Sequence, residues 1–276
     1  MPPPTVTDLF RFPVKSLRGH ALECAKIGPR GISGDRRWML VDDNGRFVTR
    51  REVPELALFD TVLDGSALVI RHLVHGCCRV PQPDDDAPTI DVGIWGDTVR
   101  ARTTGEASTR YLSRALERSV RLVYQGDDGV RPIDPGFAVP GDQIALSDGF
   151  PLLLVTTASL AALNADLAEP VAMARFRPNI VIDGTTAWRE DHWRRIRIGN
   201  VTLRLPKPCS RCIVITQDPL SGAREDGNEP LSTLMRIGRM GKGGVMFGQN
   251  AIPENSGTIS AGDRIEVLEE GASNLR

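Results

Sequence analysis

The sequence has few aromatic residues, no excess of either charge and no long hydrophobic run. Aromatic side chains make up 5% of its 276 residues, and 34 Lys and Arg against 35 Asp and Glu leave a formal net charge of −1. A chain without an overall positive field is not drawn to nucleic acid or anionic lipid. No stretch approaches the roughly 18 consecutive apolar residues of a transmembrane helix. We therefore expect a protein that binds neither nucleic acid nor a membrane.

The chain also lacks the marks of an exported, disulfide-linked protein. Its first residues, Met1–Asp8, contain neither the basic region nor the apolar region of a secretory signal. Five cysteines are an odd number and sparse for this length, which does not resemble a disulfide framework. We expect a cytoplasmic location, with thiols that are reduced and available for metal binding or chemistry.

Short β-branched runs separated by turn residues dominate the sequence. At about 150 residues per domain, the length allows two domains. Runs of this kind, at such regular intervals, predict strands of barrels or sandwiches and not a repeating βαβ sheet. The predicted strands include Val6–Phe10, Trp38–Val41, Ala67–Ile70, Ile180–Ile182, Val201–Leu203 and Ile213–Ile215.

Two segments have helical periodicity. Apolar residues recur at helical spacing over Ala107–Leu116 and over Ser159–Leu167, where Thr157 or Ser159 is the predicted N-cap. Between these helices, the Pro-rich stretch Arg131–Gly141 indicates a seam between two β-rich halves.

The sequence Cys209-Ser210-Arg211-Cys212 is the sharpest local motif, and it has three interpretations. A redox dithiol normally opens a helix, whereas the residues after Cys212 predict a strand, which disfavours that interpretation. Half of a zinc site would need further ligands, for which the dense segment His72–Cys78 is the one candidate. The third interpretation is a single functional thiolate beside a second thiol without a role.

Several basic residues stand next to hydrogen-bond donors, an arrangement that suits a phosphate or another anion. Taken singly, each is more often a solvated surface charge. The glycine-rich Gly241–Gly244 lacks the spacing of a phosphate loop, and we interpret it as a flexible loop that enters a strand, with Gln249 and Asn250 as candidate ligand-facing amides. The basic groups are Lys15-Ser16, Arg36-Arg37, Arg175–Asn179, and Lys207 with Arg211.

Six motifs follow one another along nearly the whole chain: Pro13–Ser16 (PVKS), Gly34–Val41 (GDRRWMLV), Trp95–Asp97 (WGD), Phe176–Val181 (FRPNIV), Cys209–Cys212 (CSRC) and Gly257–Asp263 (GTISAGD). In this order they resemble the motifs of MOSC-domain proteins of the kind that includes the mitochondrial amidoxime-reducing components and their bacterial relatives. The resemblance implies a mainly β (α+β) fold with a few helices, with an N-terminal MOSC β-barrel domain over residues 1–122 and a MOSC β-barrel domain over residues 123–276.

The resemblance further implies a molybdenum cofactor, a pterin whose dithiolene sulfurs bind the metal and whose phosphate needs cationic partners. By position in the motifs, Cys212 is the implied molybdenum ligand and catalytic residue, and Cys209 has no role. Thr156 and Thr157, at a helix start, are further candidate phosphate donors. The other implied cofactor-binding residues are Lys15, Ser16, Arg36, Arg177, Asn179, Ser210 and Arg211.

The implied activity is reduction of small N-hydroxylated substrates, with electrons from a separate protein of ferredoxin, flavodoxin or cytochrome type and its reductase. A separate donor is expected because no cysteine follows the predicted strand Arg264–Leu268 to hold an iron–sulfur cluster. The alternative is a non-catalytic carrier of the cofactor or of sulfur. Related domains form the C-terminal part of the molybdenum cofactor sulfurases. A chain of this length, however, has no room for the pyridoxal-phosphate domain of those enzymes. Asp218, before Pro219, is interpreted as a turn residue with a possible role in proton relay.

Overall fold

The computed structural model describes residues 3–275, so that Met1, Pro2 and Arg276 lie outside the described residues. Within this range the chain forms nineteen strands and three α-helices, and the prediction of a mainly β fold with a few helices is confirmed. The helices are α1 (Glu106–Ala115), α2 (Thr157–Ala165) and α3 (Leu231–Arg236). The strands are β1 (Thr5–Arg11), β2 (His20–Leu22), β3 (Cys24–Gly28), β4 (Gly31–Ile32), β5 (Trp38–Val41), β6 (Phe59–Asp64), β7 (Ala67–His72), β8 (Gly76–Val80), β9 (Thr89–Ile94), β10 (Asp97–Thr103), β11 (Arg121–Tyr124), β12 (Leu152–Thr156), β13 (Ile180–Asp183), β14 (Trp193–Ile198), β15 (Val201–Ser210), β16 (Met240–Gly241), β17 (Gly244–Pro253), β18 (Gly257–Ser260) and β19 (Ile265–Glu270).

The largest sheet has the strand order β19-β14-β15-β17-β12-β13-β1-β2, with β16 paired to β17. Strands β12 and β13 are parallel and joined through α2, whereas the other pairs in this sheet are antiparallel. Strands β1 and β2 come from the start of the chain, and all the others follow residue 151. Val6 and Leu9 on β1 pack in one core cluster with Leu154 and Trp193. The sheet therefore unites both ends of the sequence.

Three smaller sheets complete the fold, in the orders β5-β11-β10-β9, β6-β7-β8 and β18-β3-β4. A second core cluster, which includes Trp38, Phe59 and Leu112, packs α1 against the first two of these sheets. Five of the six predicted strands and both predicted helices are confirmed. Among the described residues, no helix has both the length and the apolar character that crossing a membrane requires.

The predicted strand Ile213–Ile215 is wrong, because the segment Ile213–Thr216 is a single turn of 3₁₀ helix. Strand β15 ends just before it, and the Thr216 hydroxyl donates back to the carbonyl of Ile213 at 2.8 Å. A β-branched run prefers a strand only where a pleated neighbour is available. Here the run instead packs Ile215 into a third core cluster beside Phe176 and Phe247.

Candidate functional site

A cleft is formed where loops and strand ends from several parts of the chain meet. Strand β15 and the turn that follows it bring the Cys-x-x-Cys motif to this cleft, and the segment preceding β12 forms another wall. The lining comprises Lys15, Ser16, Arg36, Thr49–Arg51, Ser147–Phe150, Leu152, Leu153, Phe176, Arg177, Asn179, Cys209–Cys212, Val214, Ile215 and Asn250.

The cleft concentrates positive charge in a protein whose overall charge is close to neutral. Its lining includes one carboxylate, that of Asp148, against six cationic side chains. Clustered Arg and Lys side chains are suited to bind phosphate or another polyanion. The six cations are Lys15, Arg36, Arg50, Arg51, Arg177 and Arg211.

Two of these arginines have donors that the rest of the chain leaves unsatisfied. Among residues 3–275, the side chain of Arg177 makes no hydrogen bond and no ion pair. Burial, together with repulsion from Arg36 and Arg50, holds the pKa of Arg177 well below its ordinary value. The Nε atom of Arg211 is buried and finds no hydrogen-bond partner in the described part of the chain. Because the guanidinium of Arg177 lines the cleft without a partner among the described residues, it is available to bind an anion there.

Backbone strain is also concentrated at the cleft. Ser16, Arg36 and Arg177 have φ values of 72°, 47° and 53°, in the left-handed region that non-glycine residues seldom adopt. Arg36 is held there by its partners: its Nη1 donates to Asn179 Oδ1 at 3.1 Å, and its Nη2 donates to the Arg177 carbonyl at 3.3 Å. Strained residues that the surroundings hold in place are typical of functional sites.

One wall of the cleft is a charged network. Lys15 is buried and forms an ion pair with Asp148, which also accepts a hydrogen bond from Trp95 Nε1 at 3.2 Å. Partial desolvation is outweighed by Lys15, Arg51 and Trp95, which together hold the pKa of Asp148 below its ordinary value. The guanidinium of Arg51 lies over the Trp95 ring, 4.4 Å from its centroid. The network fixes two cations at the cleft.

Both thiols of the Cys-x-x-Cys motif are free, and each lies beside an arginine. Arg51 Nη1 is 3.7 Å from Cys212 Sγ, and Arg211 Nη1 is 3.1 Å from Cys209 Sγ. Between them, the Ser210 hydroxyl donates to the carbonyl of Gly243 at 2.7 Å. Over residues 3–275, no group of three His, Cys, Asp or Glu side chains is arranged to hold a metal ion. A zinc site completed by His72–Cys78 is therefore not formed.

Of the residues that the resemblance implies for the cofactor, the structure brings all but two threonines to the cleft. Thr156 is buried, and its hydroxyl accepts a hydrogen bond from the Ser159 amide at 3.1 Å, so that it is the N-cap of α2 in place of the predicted Thr157 or Ser159. The Thr157 hydroxyl donates a hydrogen bond to the carboxylate of Asp183. Neither threonine lines the cleft. The residues that do are Lys15, Ser16, Arg36, Arg177, Asn179, Ser210, Arg211 and Cys212.

Other predictions about ligand-facing residues have different outcomes. Asp218 does not line the cleft, and its carboxylate accepts hydrogen bonds from the Leu220 and Ser221 amides, as expected for a turn residue. Asn250 reaches the cleft, while Gln249 is buried and donates to Asp191 Oδ1 at 2.7 Å.

Sequence reasoning missed two segments of the cleft, Thr49–Arg51 and Ser147–Phe150. The Arg50-Arg51 pair stands close after the apolar Phe47-Val48, and the pair Arg36-Arg37 stands directly before the apolar Trp38–Val41, so a comparable signal was available for it. No comparable signal marks the second segment, because its role depends on the ion pair between Lys15 and Asp148, 133 residues apart.

Two family models and several known proteins match this chain over most of its length. The model of the MOSC N-terminal beta barrel domain matches residues 3–119, and that of the MOSC domain matches residues 141–266. Mitochondrial amidoxime-reducing component 1 of Homo sapiens is 34% identical over 96% of this chain and 83% of its own length. The Mus musculus protein of that name is 33% identical over 96% of this chain and 82% of its own length. Mitochondrial amidoxime reducing component 2 of Bos taurus is 29% identical over 95% of this chain and 82% of its own length.

Proposed function

This chain belongs to the family of MOSC-domain proteins that carry an N-terminal MOSC β-barrel domain, and on that premise we propose that it is a molybdenum-cofactor-dependent reductase of N-hydroxylated compounds. The observation that carries the proposal is the cleft, in which six cations and the Cys212 thiol face one another across a single space. The names of the relatives, amidoxime-reducing components, supply the substrate class.

The residues of the cleft fit the cofactor. A pterin phosphate would satisfy the donors that the Arg177 guanidinium leaves open at the cleft. A cysteine thiolate is an apt ligand for a metal that already has sulfur ligands, and we assign this role to Cys212. When bound, the cofactor would supply the two-electron redox chemistry at its metal.

The contribution of the chain itself would be to bind and orient the cofactor. Asn179 is 1% exposed, and its Oδ1 accepts from both Arg36 Nη1 and the Leu153 amide, so one buried amide aligns the Arg-Pro-Asn segment with β12. Ser210, fixed to the Gly243 carbonyl, sets the direction of the turn that presents Cys212. These groups are positioned before any ligand arrives, which reduces the entropy lost on binding.

We further propose that the electrons come from a separate redox protein of ferredoxin, flavodoxin or cytochrome type. Reduction of an N-hydroxylated compound consumes two electrons per turnover, and no cluster-binding group of cysteines is formed among residues 3–275.

The test is purification from a host that makes the molybdenum cofactor, followed by metal and pterin analysis and by turnover of an aromatic amidoxime with reduced viologen as donor. Near-stoichiometric molybdenum and pterin with steady amidine production would support the reductase. Molybdenum and pterin without turnover would identify a carrier instead. Protein that contains neither would overturn the cofactor assignment.

A further inference from the structure

We propose that a second cavity, next to the cleft, binds a small carboxylate that has an apolar body, such as an aromatic acid. This cavity, here called the Phe12 cavity, shares Arg50 and Arg177 with the cleft but is otherwise lined by different residues. It is lined also by Phe12, Arg18, Asp60 and Leu220. The inference does not depend on the proposed reductase function, because binding here requires no cofactor.

The walls of the Phe12 cavity are largely apolar. Phe10, Phe12 and Ala21 line it from the β1–β2 region, and Pro219 and Leu220 line it from the turn after the Cys-x-x-Cys motif. Its volume is about 190 Å³. Since an apolar cavity of about 150 Å³ can hold a benzene molecule, a single ring with one substituent fits this space.

Positive charge in the Phe12 cavity exceeds negative charge. The one carboxylate in its lining, Asp60, already forms an ion pair with Arg18 at 2.7 Å. Arg50 is 3% exposed and donates only to neutral acceptors, Gln217 Oε1 at 3.2 Å and the Asp218 carbonyl at 3.0 Å. Burial lowers the pKa of Arg50 to about 10, with attraction from Asp218 and repulsion from Arg18 as the smaller effects.

The third cation, Arg177, stacks over the Phe12 ring at 4.3 Å from the centroid and has no acceptor within the described range. His20, the remaining titratable group, is neutral in this arrangement: its Nδ1 lies 2.9 Å from the Thr61 carbonyl and its Nε2 accepts from Arg11. Two guanidinium groups therefore lack a counter-charge in an apolar cavity. That combination selects a carboxylate with an apolar body over a small hydrated anion, which gains nothing from the apolar walls.

The shared arginines predict coupling between the two spaces. An anion that takes hydrogen bonds from Arg177 in the Phe12 cavity leaves fewer donors for an anion in the cleft, so each should weaken the other by the same factor. A carboxylate in this cavity would thereby regulate how firmly the cleft holds its own ligand.

The experiment uses the full chain purified without cofactor, and isothermal titration calorimetry with benzoate. Benzamide serves as the uncharged counterpart and acetate as the anion without an apolar body. We expect benzoate to bind at least about tenfold more tightly than either, because each lacks one of the two interactions. Equal affinity for benzoate and acetate, or for benzoate and benzamide, would overturn the proposal.

Substitutions locate the site. Leu220→Asp places a negative charge at the exposed rim of the Phe12 cavity and should weaken benzoate binding at least about tenfold. Leu73→Asp is the matched control, since Leu73 is exposed between β7 and β8 and lines neither space, and it should leave binding unchanged. If Leu220→Asp had no effect while Arg211→Gln in the cleft abolished binding, benzoate would occupy the cleft and the proposal would fail.

Inorganic phosphate tests the coupling. Phosphate that occupies the cleft should raise the dissociation constant of benzoate in the wild-type protein. A benzoate affinity that stays constant as phosphate saturates the protein would show that the carboxylate does not reach Arg177, and would overturn the assignment of this residue to the Phe12 cavity.

Discussion

At the scale of single residues, the cleft contains polar groups that find only part of their hydrogen-bond and ion-pair partners within the described protein. Arg177 occupies a left-handed backbone conformation and carries a partly buried charge without a counter-charge among the described residues. Both features cost free energy of folding. Their presence in one residue indicates that the site is complementary to a ligand.

The two cysteines of the motif should differ in their response to substitution. Cys212→Ser should remove the proposed molybdenum ligand and reduce both metal content and amidoxime turnover to background. Cys209→Ser, with a similar change of size and the neighbouring Arg211 intact, is the control and should retain both within about twofold. Metal analysis and steady-state rates measured on the two variants test this assignment. A larger loss of metal and turnover in Cys209→Ser than in Cys212→Ser would assign the molybdenum ligand to Cys209.

Glu190 gives a pH-dependent prediction. It is fully buried, its Oε1 has no hydrogen-bond partner in the described structure, and burial raises its pKa. A carboxyl group with a raised folded-state pKa favours folding when protonated, so this contribution is present below the unfolded-state pKa of about 4.3 and is lost as pH rises toward the folded-state value. Glu190→Gln removes the titration. The melting temperature of the variant relative to wild type should therefore rise between pH 4 and pH 7, and a constant difference would contradict this account.

At the scale of elements, the start of α2 shows how one sequence signal can serve two different roles. A threonine before a helix can donate to a phosphate or cap the helix, and the sequence alone does not distinguish these roles. The structure turns the Thr156 hydroxyl to the Ser159 amide within α2 and brings it to 3.2 Å from Glu190 Oε2. The helix start lies outside the cleft lining, and its polar groups are used within the fold.

Thr156→Ala should consequently affect stability and not cofactor content. Loss of an N-cap costs about 1 kcal/mol, which corresponds to a fall in melting temperature of roughly 2–4 °C for a chain of this size. Thr157→Ala, at the adjacent partly exposed position, is the control and should change the melting temperature little. A loss of bound molybdenum in Thr156→Ala, with an unchanged melting temperature, would instead support a role in cofactor binding.

At the scale of the whole molecule, the largest sheet links the two regions that the family models match. Strand β1 pairs with β13, and β3 pairs with β18, so the first 28 residues add strands to two sheets that also contain residues from the second half. The cleft draws its walls from the same two parts of the chain, from Lys15 to Asn250. The predicted boundary between two domains at residue 122 therefore stays a prediction.

This linkage predicts that residues 123–276 do not fold alone. Without β1 to β4, the fragment lacks the core residues Val6, Leu9, Ala25, Ile27 and Ile32 and should show no cooperative thermal transition by circular dichroism. The control is the full chain cut by a protease in the exposed loop over 134–141, which retains both pieces and should still melt cooperatively. A cooperative transition in the isolated fragment would show that the second region is self-sufficient.

Much of the fold and of the site was predictable from local pattern. Alternating or continuous β-branched runs predicted strands wherever a neighbouring strand was available, and failed at Ile213–Ile215, where the preceding strand had ended. Eight of the residues that the motifs indicated lie together in the lining of one cleft. Asp148 was missed because its role arises from contacts with Lys15 and Trp95 and not from its own neighbours in sequence.

The sequence by itself determined the mainly β character, the family and many of the residue types that line the cleft, because each depends on local composition and on the order of short motifs. Only the tertiary structure decided which cations converge, that the Arg177 guanidinium has no hydrogen-bond or ion-pair partner among residues 3–275, and that the Phe12 cavity shares Arg50 and Arg177 with the cleft. These properties depend on distances between residues that are far apart in the chain. Such distances are set by packing of the whole core, which no local pattern encodes.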